Sequence, residues 1–262
     1  MACRAVFKDW ETLPCKAFEE AFRAVQDGRA ARAMIPIDNT LAGRVADVHH
    51  LLPDSGLFIV GEHFEPIRHA LLGVKGARKE DLVDVHSHIH AIPQCRKIIR
   101  DMGLTSHVHA DTAGAAAEIA ARGDKTHAAI ASLLAAEIYD LDVLIEDVQD
   151  ADHNTTRFLI LSQQPETPPY DPEGRVLTSL VFRVRNIPAA LYKALGGFAT
   201  NGISMAKLES YVGEGFKIAQ FYAEVEGHPD SPALKLALEE LSFFAREVRV
   251  LGTYEAHPFR FS

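Results

Sequence analysis

TSLVFRVRNIPAALYKALGGFAT runs from Thr178 to Thr200, and a change of period inside it decides how the chain is read. Thr178 to Val184 alternates as a strand. From Pro188 the period becomes helical, with Leu191, Ala194, Leu195 and Phe198 along one stripe. ISMAKLESYV (203–212) and IAQFYAEVE (218–226) then flank the turn residues Gly213 to Gly215. DSPALKLALEELSFF follows, with Pro232 near its first turn and Leu234, Ala237, Leu238 and Leu241 on one face, before a last strand, VRVLGTY (248–254). The order is β-α-β-β-α-β, which predicts one four-stranded antiparallel sheet with both helices on one side.

Upstream lies QQPETPPYDPEGR (163–175), where Pro165, Pro168, Pro169 and Pro172 exclude helix and central strand. It reads as a linker. Before it, short apolar runs alternate with helical periodicity. Phe18, Ala21, Phe22 and Val25 form one stripe ending at Gly28, and the strand AMIPI follows. Phe58 to Gly61, Leu82 to His86, Leu104 to His109 and Ala128 to Ala131 read as further strands, and TAGAAAEIAARG as a helix closed by Gly123. The expectation is α/β with mostly parallel strands. EPIRHALLGV (65–74) and LIEDV (144–148) are expected to cross between two lobes, with a ligand cleft between them. The helix-like start, MACRAVF, reaches Leu13-Pro14 without a preceding strand, so a first element is expected to be missing.

Composition narrows the function classes. Of 262 residues 47% are hydrophobic and 24% charged, as in packed globular proteins. A formal charge of −9, with scattered Lys and Arg, argues against nucleic acid. Cys3, Cys15 and Cys95 are widely spaced, which argues against a disulfide framework and for reduced thiols in a cytoplasm. No apolar run is long enough to span a bilayer, so no membrane role is expected.

Six segments in order carry a resemblance: IPIDNTLAGRVADVHHLL (35–52), HSHIHAIPQC (86–95), DTAGAA (111–116), AAIASLLAAEIYDL (128–141), NTTRFLIL (154–161) and NGISMAKLESY (201–211). Together they resemble the prephenate dehydratases, enzymes of phenylalanine biosynthesis with a C-terminal ACT regulatory domain, over essentially the whole chain. The resemblance implies a bilobal, periplasmic-binding-protein-like catalytic domain over 1–162, with its second lobe at about 66–141. It further implies a linker at 163–175 and a ferredoxin-like βαββαβ ACT domain over 176–256. Family members begin with a strand and a Gly-rich loop, and this chain starts just after them.

The candidate residues have readings of their own. Thr156 and Arg157 stand where a loop enters a strand, so a hydroxyl and a guanidinium can be aimed at a cleft; the bland reading, favoured for an isolated Thr-Arg pair, is a strand start with a solvated arginine. In the family this Thr-Arg-Phe is the hallmark, and its threonine, needed for activity, maps to Thr156. Asp38, Asn39 and Thr40 follow AMIPI at the carboxyl end of a strand, with capping of the next helix as the alternative. Asp38 stands where the family usually has Glu. Ser87 and Gln94 match substrate-site positions, suited to carboxylate or enol oxygens of a small dianion. Thr112 opens the Ala-rich helix, where free amides suit a carboxylate, or it belongs to a simple cap with Asp111. His86, His88 and His90 alternate, which on a strand puts three imidazoles on one face, yet no Cys or carboxylate stands at a metal spacing; no metal and no cofactor is expected.

The resemblance implies phenylalanine bound between ACT domains, by amides near Ala189, Ala190 and Leu191 and by Asn201, Glu209 and Ser210. The family glycine is replaced at Ala189 or Ala190, and its Arg-Pro by Tyr211-Val212. Prephenate is the expected substrate, phenylalanine the effector, and a homodimer or homotetramer the expected assembly. Arogenate dehydration and a catalytically silent amino-acid sensor are the alternatives.

Overall fold

The computed structural model describes residues 1–151, 153–212 and 219–261. The chain begins with α1 (Ala2–Val6), α2 (Phe18–Gln26), β1 (Ala33–Asn39), β2 (Gly43–Arg44), α3 (Ala46–Leu51) and β3 (Phe58–Pro66). It continues through β4 (Ala70–Gly73), β5 (Asp84–His88), α4 (Arg96–Asp101), β6 (Thr105–His109), α5 (Thr112–Arg122), β7 (His127–Ala131), α6 (Leu133–Tyr139) and β8 (Asp142–Ile145). Then come β9 (Thr155–Ser162), β10 (Val176–Val184), α7 (Ala190–Thr200), β11 (Met205–Val212), β12 (Ala219–Glu226), α8 (Pro232–Phe244) and β13 (Ala245–Glu255). Among the described residues the fold is mixed α/β with three sheets, and it divides into two compact units. Among the described residues no helix is long and apolar enough to cross a membrane.

Unit 1 comprises Met1, Asn39–Gly43 and Glu65–Thr156. Its five-stranded sheet has the order β6-β5-β7-β4-β8. Ala70, Leu72, Ala129 and Ala131 pack one face against Ala116 and Ile119 of α5 and Ala135 of α6. Leu71, Val85, Ala128 and Ile130 pack the other against Cys95, Ile98 and Leu104. Both faces are covered at β4 and β7, which is why those strands are short apolar runs rather than alternating ones, while β6 at the edge is exposed. The expectation of mostly parallel strands is half right. β5 pairs parallel with β6 and β7, while β4 pairs antiparallel with β7 and β8. EPIRHALLGV and LIEDV are therefore not bare crossovers, since β4 and β8 pair with each other in this sheet.

Unit 2 comprises Ala2–Asp38, Arg44–Phe64 and Arg157–Ser262. Its core joins α2 (Phe22, Val25), β1 (Ile35, Ile37), β3 (Ile59) and β9 (Leu159, Leu161) to Leu177, Val181, Tyr222, Leu251 and Tyr254 of the C-terminal sheet. Each such buried side chain contributes roughly 1.5–3 kcal/mol before entropy is subtracted. α2 ends as the pattern predicts, with Gly28 left-handed at φ 73 just beyond it. The approach of β13 to β3 is closer still. A Cβ on Gly252 would overlap the Ile59 carbonyl oxygen, so only glycine fits there.

The C-terminal elements follow the expected order, with strands arranged β11-β12-β10-β13, all neighbours antiparallel. Ala194 and Phe198 of α7 and Leu234, Ala237 and Leu241 of α8 share a core with Leu180, Phe182 and Ala223 of the sheet. α7 opens at Ala190 rather than at Pro188, because Ala189 turns left-handed at φ 56 in between. The expected turn at Gly213 to Gly215 lies outside the described residues. Residues 163–175 form neither helix nor strand.

Candidate active site

β1 delivers Asn39 at its carboxyl end, and β9 delivers Thr156 near its start. The Asn39 side-chain amide donates to Thr156 Oγ1 at 2.9 Å and to Asn154 Oδ1 at 2.7 Å. Its carbonyl accepts from the Leu41 and Ala42 amides, at 2.9 and 2.8 Å. Asn39 thus fixes a turn rather than capping a helix, since α3 starts only at Ala46. Thr40 adds a second tie between the segments, donating to the His153 carbonyl at 2.8 Å and accepting from the Thr155 amide at 3.0 Å.

The chain of contacts continues through buried Asn154, whose amide donates to Gln94 Oε1 at 2.6 Å. Gln94 Oε1 also lies 3.2 Å from His69 Nε2. Burial holds the His69 imidazole below its ordinary titration range, against the opposing bond to Gln94, so it stands neutral at neutral pH. Gln94, Asn154, Gln149, Asp150, His90 and Leu41 line a cleft of about 300 Å³. Asp150 accepts from the amides of Arg96 and Lys97 and so anchors the start of α4 beside it.

This arrangement is a ladder of neutral hydrogen-bonding groups. Thr156 accepts from Asn39, and its hydroxyl proton has no acceptor among the described residues, so it is free to donate to a bound oxygen. Of the sequence candidates, Asn39, Gln94 and Thr156 are connected through Asn154. Ser87 is not among them. It is fully buried, and its hydroxyl donates to the Ile130 carbonyl at 2.6 Å, stitching β5 to β7. Thr112 is the first residue of α5, and Asp111 rather than Thr112 caps it, accepting from the Gly114 amide at 2.6 Å. The imidazoles of His86, His88 and His90 do not share one strand face, because β5 ends at His88 and His90 lies in the following turn.

A family model described as prephenate dehydratase matches residues 1–166. The chain belongs to the prephenate dehydratase family. A bifunctional N-acyl-homoserine lactone acylase/prephenate dehydratase of Komagataeibacter europaeus is 51% identical over 99% of this chain and 92% of its own. An arogenate dehydratase/prephenate dehydratase of Arabidopsis thaliana is 37% identical over 97% of this chain and 68% of its own. Among solved structures, a prephenate dehydratase from Arthrobacter aurescens in complex with L-Phe superposes with a TM-score of 0.88. It is 27% identical, with 97% of this chain and 85% of that one covered.

In unit 2 Arg157 is 6% exposed and held on every side. Its Nε donates to Glu62 at 2.7 Å, one Nη to Glu224 at 2.8 Å and the other to the Tyr254 hydroxyl at 3.2 Å. Arg260 closes the cluster on Glu62 at 2.6 Å and on Glu224 at 3.3 Å. Burial works against the Glu62 carboxylate, but the bonds from Arg260 and Arg157 outweigh it and hold its pKa below the usual range. The guanidinium is thus a tie between β9, β3 and the C-terminal sheet. Asp38 is likewise engaged, by Lys207 Nζ at 2.7 Å, and Lys207 and Arg44 both reach Glu209, at 3.3 and 3.1 Å. Asn201 sits at the carboxyl end of α7, donating to the Gly197 carbonyl at 2.8 Å and to Glu240 at 3.1 Å. Ser210 is exposed on β11, and Ala190 and Leu191 open α7 just after the left-handed Ala189.

Proposed function

We propose that the protein dehydrates and decarboxylates prephenate to phenylpyruvate in phenylalanine biosynthesis. Aromatisation drives the reaction, so the site needs to align the departing carboxylate and hydroxyl and assist the hydroxyl's departure. Thr156 is the hydroxyl donor, Asn39 fixes its rotamer, and Gln94 and Asn154 orient substrate oxygens. The single observation that supports this reading is the continuous bonding of Thr156 to Asn39, Asn154 and Gln94 in a chain of the prephenate dehydratase family. Ser87 then acts through the strand pairing it fixes, Thr112 through its place at the first turn of α5, and Arg157 and Asp38 as anchors rather than reactive groups. No metal or organic cofactor enters the reaction.

The same reading divides the chain into a catalytic domain over 1–162 and an ACT domain over 176–256 that binds phenylalanine near Ala189–Leu191, Asn201, Glu209 and Ser210 in a dimer or tetramer. The complex of the Arthrobacter relative with L-Phe supports the effector. Arogenate is the alternative substrate, supported by the plant relatives, and a silent sensor the alternative class. A further activity, hydrolysis of an N-acyl-homoserine lactone, is supported by the 51% identical bifunctional relative. Purified protein given prephenate, arogenate or an acyl-homoserine lactone, with and without phenylalanine, separates these readings. Formation of phenylpyruvate from prephenate is the expected result; phenylalanine from arogenate or a free fatty acid from the lactone favours those readings, and no product from any of the three leaves the sensor.

A further inference from the structure

One face of the unit 1 sheet collects imidazoles that the proposed reaction does not use. The parallel register sets His86 beside His107 and His88 beside His109. Parallel partners point to the same side, as do residues two apart on one strand, so His86, His107 and His109 share a face. His127 on β7 joins them through its pairing with Asp84. His86 Nδ1 faces His109 Nε2 at 2.9 Å. The other nitrogen of each ring is already held, with His86 Nε2 lying 3.0 Å from His127 Nδ1 and His109 Nδ1 lying 3.3 Å from Glu118 Oε2.

We propose that His86, His109 and Glu118 hold one divalent transition-metal ion of the zinc class. Their ligand atoms lie within 4.8 Å of one another. A tetrahedral ion with bonds of about 2.0–2.1 Å needs its two nitrogens roughly 3.3 Å apart, so the facing imidazoles have only a few tenths of an ångström to open. Two nitrogens and one carboxylate oxygen favour zinc, cobalt or nickel over calcium or magnesium, which take oxygen shells. Arg122 holds Glu118 Oε1 at 2.9 Å, and Oε2 reaches the ion by turning away from His109 Nδ1, which it now faces at 3.3 Å. His127, itself touched by Arg122 at 3.1 Å, orients His86 from behind as metal-binding histidines require. The site is reachable, because the side chains of His109 and Glu118 are 19% and 45% exposed. A bound ion pins β5, β6 and α5 together, and its fourth position is open to water.

The test is to strip the full-length protein with a chelator and titrate it with cobalt(II), then with zinc(II). One cobalt per chain with the visible absorption of a tetrahedral centre, displaced by zinc, is the expected result. His86→Ala and His109→Ala each lose at least tenfold in affinity, Glu118→Gln loses less, and His63→Ala binds as the parent does. Should the histidine variants fail to fold, X-ray absorption of the zinc-loaded parent decides, with two imidazole nitrogens expected in its shell. A shell containing sulfur, or no imidazole, overturns the proposal. So does the absence of stoichiometric binding, or binding undiminished in the His86→Ala/His109→Ala double variant.

Discussion

Thr156 and Arg157 are chain neighbours with opposite fates. On a strand, successive side chains point to opposite sides, so one reaches the polar ladder of unit 1 while the other enters the buried ion cluster of unit 2. If the hydroxyl assists the leaving group, Thr156→Val lowers kcat by about 10²–10⁴ while Thr156→Ser keeps most of it, measured by phenylpyruvate formation. Equal turnover in Thr156→Val and parent removes the assignment. Arg157→Met leaves two buried carboxylates, Glu62 and Glu224, sharing Arg260 alone, and is expected to cost about 3–5 kcal/mol in urea unfolding. A loss near zero would mean that Arg260 alone satisfies both carboxylates. Asn39 and Thr156 were legible in the sequence as polar residues at strand ends within family motifs, and Gln94 by its family motif alone. Asn154 stood in one of those motifs and His69 in a presumed crossover, but an amide or imidazole between two segments gives no periodic signal. Ser87 and Arg157 show the converse limit, since a hydroxyl or guanidinium has the same letter whether it faces a cleft or seals a core.

At the level of elements, periodicity located most helices and strands because their buried faces repeat. Boundaries set by backbone conformation escaped it. α7 starts two residues late because Ala189 adopts a left-handed φ of 56 that disfavours any residue with a Cβ. Ala189→Gly is therefore expected to stabilise the protein by about 1 kcal/mol, seen as a rise of roughly 2–4 °C in Tm. An unchanged or lower Tm would show that glycine's extra freedom when unfolded cancels the relief. The antiparallel β4 was hidden for another reason. Four residues buried on both sides look alike whichever way the strand runs, so orientation is decided by distant partners.

For the molecule as a whole, acid sensitivity follows from groups that folding keeps from their ordinary titration. His49 is 1% exposed, with Nδ1 bonded to the Tyr211 hydroxyl. Burial, assisted by the nearby Lys207 charge, lowers its pKa from 6.5 to about 4. Below pH 6.5 the unfolded chain takes up a proton that the native protein refuses, so stability falls until about pH 4, by up to roughly 1.4 kcal/mol per pH unit. Glu62 acts in the same direction lower down. Its folded pKa lies below 4.5, so its contribution is complete above that value and lost as pH falls. His49→Gln should lessen the slope of the stability profile between pH 6.5 and 4 in chemical denaturation, with His86, held down to about 4 by burial and its neighbouring cations, keeping its own share, and an unchanged slope would exclude His49 as a source. The close seating of Gly252 on Ile59 has a wider consequence for dissection. Severing the proline-rich stretch 163–175 would not free two tidy halves, because Ile35, Ile59 and Leu161 would lose their cover of Leu177, Leu251 and Tyr254. The amino-terminal piece would emerge with an oily wound and be recovered in inclusion bodies.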